Sequence, residues 1–209
     1  MMECLELFAG SRSFGKVAES LGHSVFSVDI NNFKDINLVK DIMEIKKSDI
    51  PINPTLIWAS PPCTYFSVAS IGHHWYENHQ PKTKEAILGL RVLYKTLDIF
   101  DWYKDAKFFM ENPVGKMRRM VKGKDRVTIT YCSYGDKRMK PTDVWSNYIY
   151  DMFNEKGWKP RSKCFAGNKK CQHEPAPRGS KTGTQGLKNN YERSRVPPQL
   201  IKEIIQSIK

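Results

Sequence analysis

No apolar run of about 18 residues or more interrupts the chain, and the amino terminus carries no basic, apolar, small-residue leader pattern. A membrane span and secretion are therefore not expected, and the expected setting is soluble and cytoplasmic. Cysteine is scarce. Five residues, widely scattered and odd in number (Cys4, Cys63, Cys132, Cys164, Cys171), argue against a disulfide framework and leave free thiols, a metal site or a nucleophile. Internal repeats are missing too. The first half has almost no net charge, with 12 Lys and Arg against 14 Asp and Glu in residues 1–114. The excess of +12 over the whole chain thus comes from residues 115–209, where 22 basic side chains face 8 acidic ones. A polyanion is the natural partner of that half, because each phosphate neutralised by Lys or Arg releases counterions. A merely solubilising surface is the bland alternative. With 209 residues, 40% of them hydrophobic, the chain can bury one core and is short for two, so a monomer of one domain with insertions is expected.

Strand-like and helix-like stretches alternate through the first half. Cys4 to Phe8 reads as a buried strand ending in the turn Ala9-Gly10-Ser11. Phe14, Val17, Ala18 and Leu21 then recur at helical spacing up to Gly22, and Ser24 to Asp29 reads as the next strand. So short a strand, helix, strand unit implies a right-handed parallel crossover. Further strands are predicted at Thr55 to Ser60, Lys107 to Met110 and Arg126 to Tyr131. Between the first two lies a long helix with Ala86, Ile87, Leu90, Leu93, Tyr94, Leu97 and Phe100 on its apolar face. The expected fold class is α/β with a doubly wound, mainly parallel sheet. From about Lys156 to Asn190 the pattern dissolves into Gly, Pro, Lys, Ser and Asn, and Leu200, Ile201, Ile204, Ile205 and Ile208 then mark a terminal helix.

Ligands of open α/β sheets sit at the carboxyl ends of the strands, and four features converge there. The small-residue turn Leu7 to Ser13 lets a ligand approach backbone N–H groups at a helix start. Asp29 ends the second strand, a position suited to ribose hydroxyls; a structural tight turn explains the pair as well as a nucleotide-like cofactor does. Ser60-Pro61-Pro62-Cys63 follows a strand directly, its prolines stiffening the loop, and Cys63 reads as a nucleophile rather than an inert hydrophobe. Finally, the apolar stretch Phe108-Phe109-Met110 runs straight into Glu111, which is either a cap or ion-pair residue or a carboxyl poised to trade a proton.

These residues resemble the cytosine-5 DNA methyltransferases. Phe8-Ala9-Gly10, Pro62-Cys63 with Phe66-Ser67, Glu111-Asn112, Tyr134-Gly135 followed by Arg138 and Lys140, and Val196-Pro197-Pro198 stand in that family's order. The match spans residues 3 to 205 and leaves 141 to 192 unmatched. It implies a Rossmann-like fold that binds S-adenosylmethionine through Phe8, Ala9, Gly10, Ser11, Arg12, Ser13, Asp29, Ile30, Asp41, Ile42, Pro61 and Ser194. By the same resemblance Cys63 adds to carbon 6 of cytosine, Glu111 lends a proton to ring nitrogen 3, and Arg138 steadies the ring with its charge. The substrate is DNA, its target base flipped out of the stack, with Trp75 and Tyr76 as candidates to fill the gap. Departures are plain: Arg12 and Ser13 replace glycines, Pro113 replaces an aliphatic, and Arg193-Ser194-Arg195 replaces a Gly-Asn-Ala wording. The chain is also shorter than members with a full recognition domain, as compact virus or mobile-element variants are.

The implied division is a catalytic and cofactor-binding unit over 1–155, a reduced DNA-recognition segment over 156–190, and a terminal helix over 191–209 packing back on the first. Lys169, Lys170, Arg178 and Lys181 are expected against the DNA backbone. Cys164, Cys171 and His173, with a fourth ligand such as Cys132, are a weaker zinc candidate, the main reading of that segment being a basic contact surface without metal. His73, His74 and His79 near the Cys63 loop are read as part of a mobile loop rather than as ligands. Rival readings of the whole are a different one-carbon donor or a free nucleotide substrate, and a catalytically silent DNA-binding homologue.

Overall fold

The computed structural model describes residues 1–175 and 189–208. In chain order the elements are β1 (Glu3–Leu7), α1 (Ser13–Ser20), β2 (Ser24–Asp29), β3 (Leu38–Val39), β4 (Leu56–Ala59), α2 (Ile71–His74), α3 (Lys84–Asp101), β5 (Lys107–Pro113), α4 (Met117–Met120), β6 (Arg126–Thr130), β7 (Pro141–Ser146), α5 (Asn190–Ser194) and α6 (Pro198–Ser207). One sheet runs β3-β2-β1-β4-β5-β7-β6. Strands β1 to β5 pair in parallel, and β7 enters antiparallel between β5 and β6. This is the expected mainly parallel α/β sheet. Its strand order reverses between β1 and β4, which opens a crevice at their carboxyl ends.

Both faces of the sheet are covered, so its central strands are apolar without alternation. Leu5, Leu7, Ile57, Phe108 and Met110 face one core together with Leu93 and Phe100 of α3. Cys4, Leu56, Trp58, Phe109 and Val144 face the other, against Phe14 of α1 and Leu200, Ile201, Ile204 and Ile205 of α6. The terminal helix thus docks where its apolar stripe requires.

Helix α1 begins without a side-chain cap of its own, since its N-cap, Arg12, sits in the left-handed region at φ 53°. The buried Glu6 carboxylate of β1 substitutes by accepting from Phe14 N at 3.1 Å. Gly15 makes room for this: a Cβ there would lie 2.6 Å from Glu6 Oε2 and 2.7 Å from the Arg12 guanidinium.

Three sequence expectations need correction. The buried face of α3 consists of Ala86, Gly89, Leu93, Thr96, Ile99 and Phe100, whereas Ile87 and Tyr94 are each 48% exposed. The helix is rotated because the rings of Tyr65 and Phe66 press against Gly89, where a Cβ would meet Tyr65 at 2.9 Å. Strand β7 carries little strand signal in the sequence, its Pro and Asp being poor strand formers; buried Asp143 is accommodated by Arg118, 2.8 Å away, and by Thr128 of β6. The irregular segment, expected from about Lys156, begins after Trp158. Trp158 is fully buried, edge-on to Phe109 at 5.9 Å, and its backbone pairs with Tyr148 and Tyr150.

Candidate active site

The glycine turn and the strand-end carboxylate meet at the crevice. Gly10 N donates to Asp29 Oδ2 at 2.9 Å and Ala9 N to Val28 O at 3.1 Å, so the turn is held on the end of β2. The turn is sharply bent, with Phe8 at φ 58° and Gly10 at φ 46°. Asp29 Oδ1 takes Asn31 N at 2.8 Å, which fixes the carboxylate and leaves lone pairs toward solvent. Beside it Ile30 is 62% exposed, an open aliphatic face at the crevice rim. Asp41 caps the turn Ile42–Glu44 through Met43 N, and Ile42 is buried beneath it. Ser13 Oγ bonds Ser11 Oγ at 2.8 Å and accepts from Val196 N at 3.2 Å, joining the first motif to the last across 183 residues of chain. Beside these serines a cavity of about 390 Å³ opens, lined also by Lys16, Arg138 and Arg195.

The Cys63 loop is pinned from β5 and the turn after it. Asn112 Nδ2 donates to Pro61 O at 2.7 Å, and Lys116 N donates to Phe66 O at 2.7 Å. Gly115 permits the second contact, since a Cβ there would fall 2.2 Å from Phe66 O. Cys63 itself is half-buried. Burial raises its thiol pKa, the Lys140 charge opposes that, Glu111 adds to it, and Arg193 lowers it slightly.

Glu111 lies in the last part of β5, longer than the strand foreseen, and is 4% exposed. Tyr131 OH donates to its Oε1 at 2.6 Å, and Lys140 Nζ stands 3.8 Å from the same oxygen. Burial and the carboxylate hold the Tyr131 phenol pKa well above its ordinary value, so the phenol remains a donor. Lys140 also lies over the Tyr131 ring at 4.5 Å. A thiol, a carboxylate, a phenol and an ammonium therefore share one electrostatic environment at the ends of β4 and β5.

The remaining expected site residues stand in differing settings. Arg138 does not face this group freely: its guanidinium pairs with Asp136 and donates to the carbonyls of Glu192, Arg193 and Arg195, clasping the segment before Val196-Pro197-Pro198. Arg12 turns inward, 6% exposed, between Glu19 and Glu6, so its charge is spent on α1 and not on the turn's ligand side. Ser194 is exposed and bonds Tyr191 O. Trp75 is 4% exposed and packs on Phe66, its indole N–H donating to Tyr65 O, which leaves only Tyr76 exposed. His74 is bonded to Thr83 and His79 to Lys116, separate partners rather than a shared centre. Lys169 and Lys170 are exposed, while Arg178 and Lys181 lie outside the described residues. Sequence reasoning missed two residues as positioning groups: Lys140, noted only as part of a motif, and Gly115, whose sole signal was a glycine after Asn-Pro-Val.

The sheet order and the turn-plus-carboxylate crevice define a Rossmann-like methyltransferase fold. Two solved structures share it, each with a TM-score of 0.51 over 70% of this chain: an E. coli prophage-encoded protein described as a DNA modification methyltransferase, 12% identical, and the Entamoeba histolytica methyltransferase EhMeth, 17% identical. The chain spans about half the length of each, 46% and 52%. No protein-family profile matches it. A Frog virus 3 protein named "Probable DNA (cytosine-5)-methyltransferase" is 30% identical over 98% of this chain and 99% of its own length. The chain accordingly belongs to the DNA (cytosine-5)-methyltransferase family.

Proposed function

We propose that the protein transfers a methyl group from S-adenosylmethionine to carbon 5 of cytosine in DNA through a covalent Cys63 adduct. The observation that carries this is the placement of Cys63 under the joint influence of Glu111 and Lys140 at the carboxyl ends of β4 and β5. S-adenosylmethionine, when bound, supplies an electrophilic methyl group. The residues present fit it: Asp29, already oriented, can accept from ribose hydroxyls, Ile30 offers an apolar face to a base, and the bent turn at Gly10 leaves space for backbone approach. Asp41 and Ile42 lie on the turn that would border the adenine.

Carbon 5 of cytosine becomes nucleophilic once sulfur has bonded to carbon 6. The Cys63 thiolate forms that bond, Glu111 in its protonated form donates to ring nitrogen 3 as negative charge builds on the ring, and Lys140 stands near both groups as a compensating positive charge. After methylation the carbon-5 proton passes to a water molecule acting as base, the carbon 5–carbon 6 double bond re-forms, and the sulfur–carbon bond breaks to release Cys63 as the thiolate. Arg138 is given a positioning role, holding the Val196-Pro197-Pro198 segment against Ser13.

Cys63→Ser should abolish transfer and retain S-adenosylmethionine binding, while wild-type protein alone traps 5-fluorocytosine DNA as a covalent complex. An adduct that persists in the variant would remove Cys63 from the chemistry. Mass spectrometry of nucleosides from treated DNA then reports the product: 5-methylcytosine is expected, a different carbon-5 substituent would indicate another donor, and unmodified cytosine would indicate a silent DNA-binding protein.

A further inference from the structure

We propose that Cys132, Cys164, Cys171 and His173 form a structural zinc site that fixes the basic segment beside the active site. Their ligand atoms all lie within 4.8 Å of one another. Tetrahedral zinc with ordinary Zn–S and Zn–N bonds sets neighbouring ligand atoms about 3.6–3.8 Å apart. Cys164 Sγ and His173 Nδ1 are already 3.6 Å apart, so small side-chain rotations bring in the rest. Three thiolates and an imidazole are a soft donor set suited to zinc, and four protein ligands leave no open position, which makes the site structural and not catalytic. A disulfide would use two of the three sulfurs and leave the third sulfur and the imidazole without a reason to converge.

The surroundings are built around these atoms. Asn168 Nδ2 donates to Cys164 Sγ at 3.3 Å, while Cys171 N donates back to Asn168 O at 3.1 Å, so the loop between the two cysteines folds over the sulfur. Such an outer donor orients a thiolate ligand and tempers its charge. The loop is also tied to the turn that bears Cys132: Cys164 N donates to Thr130 Oγ1 at 2.8 Å, and Ser133 Oγ donates to Ser162 O at 2.9 Å.

The energetic need for a metal is evident from burial. No side chain from 159 through 175 is buried, so the hydrophobic effect that orders the rest of the chain has little hold there. A metal bound by ligands far apart in sequence supplies folding free energy directly. Here it would join the segment, through Cys132, to the turn Tyr131–Tyr134, whose first residue bears the phenol that bonds Glu111. Lys169 and Lys170 would then be displayed at a set distance from the active site.

The test uses the full chain, produced with zinc and purified without chelator. Elemental analysis should find one zinc per chain, falling at least tenfold in Cys171→Ser and in Cys132→Ser, and unchanged in Cys63→Ser. Replacement by cobalt(II) should produce the intense visible absorption of a tetrahedral, thiolate-bound ion in the wild type, a readout that stands even if a variant fails to fold. Zinc at background level in folded wild-type protein, a cobalt spectrum without thiolate bands, or a native mass lower by two hydrogens from a disulfide among these cysteines would each overturn the assignment.

Discussion

Two cations beside the Tyr131 ring divide the work according to what each touches. Lys140 faces Glu111 and Tyr131 and lowers the Cys63 thiol pKa, whereas Arg138 is committed to Asp136 and three backbone carbonyls. Lys140→Gln removes a positive charge near the thiol, so the thiolate becomes harder to form. The rate of adduct formation on 5-fluorocytosine DNA should then fall at neutral pH, with its profile moved to higher pH. Arg138→Gln should instead lower thermal stability and leave the position of the profile unchanged. A profile that moves for Arg138→Gln and stays for Lys140→Gln would reverse the two roles. Gly115 illustrates how a residue with no functional group can govern a site. Its substitution by Ala sets a methyl against Phe66 O, which cannot yield without breaking the Lys116 N–H bond. A loss of about 1–3 kcal/mol in denaturant unfolding is expected, together with slower adduct formation, since the displaced carbonyl belongs to the Cys63 loop.

Among the elements, the β1–α1 unit carries the clearest pH dependence. Burial raises the Glu6 carboxyl pKa from 4.5 to about 7, outweighing the N–H donors at the head of α1 and the nearby Arg12 charge. A carboxyl with a higher pKa in the folded than in the unfolded chain holds its proton more tightly when folded. The stability it lends is therefore complete below about pH 4.5 and is lost as the pH rises through about 7. Glu6→Gln keeps an acceptor for Phe14 N and abolishes the titration. Its stability should decline less than that of the wild type between about pH 5 and pH 8, by roughly 2–3 kcal/mol in chemical denaturation. Identical slopes for the two proteins would place Glu6 outside the titrating set.

At the scale of the whole molecule, charge is segregated: the first 114 residues are nearly neutral and the later ones strongly basic. Affinity for DNA should accordingly come mostly from phosphate contacts and fall steeply with salt. Replacing Lys169 and Lys170 by Gln should flatten the slope of log affinity against log salt by about 1–2 without changing cofactor affinity. Fluorescence anisotropy across a salt series measures this, and an unaltered slope would exclude both side chains from the DNA contact.

The order of elements in the first half, the Cys63 loop, the Glu111 strand and the docking helix α6 were legible in the sequence because each rests on local rules: hydrophobic period, proline stiffness, and turn residues at strand ends. The four zinc-type ligands could be named but not assembled from spacing, since Cys132 lies over thirty residues from the others and only the turn Tyr131–Tyr134 brings it near. Tertiary structure alone decided which face of α3 is buried, that an aspartate-bearing strand inserts between β5 and β6, and which cation stands at Glu111. In each case a distant neighbour overrides local preference: the rings on Gly89, Arg118 on Asp143, and the Tyr131 ring beneath Lys140. Propensity is a property of a short stretch of chain, whereas the environment of a charge or a close backbone contact exists only after the sheet has assembled.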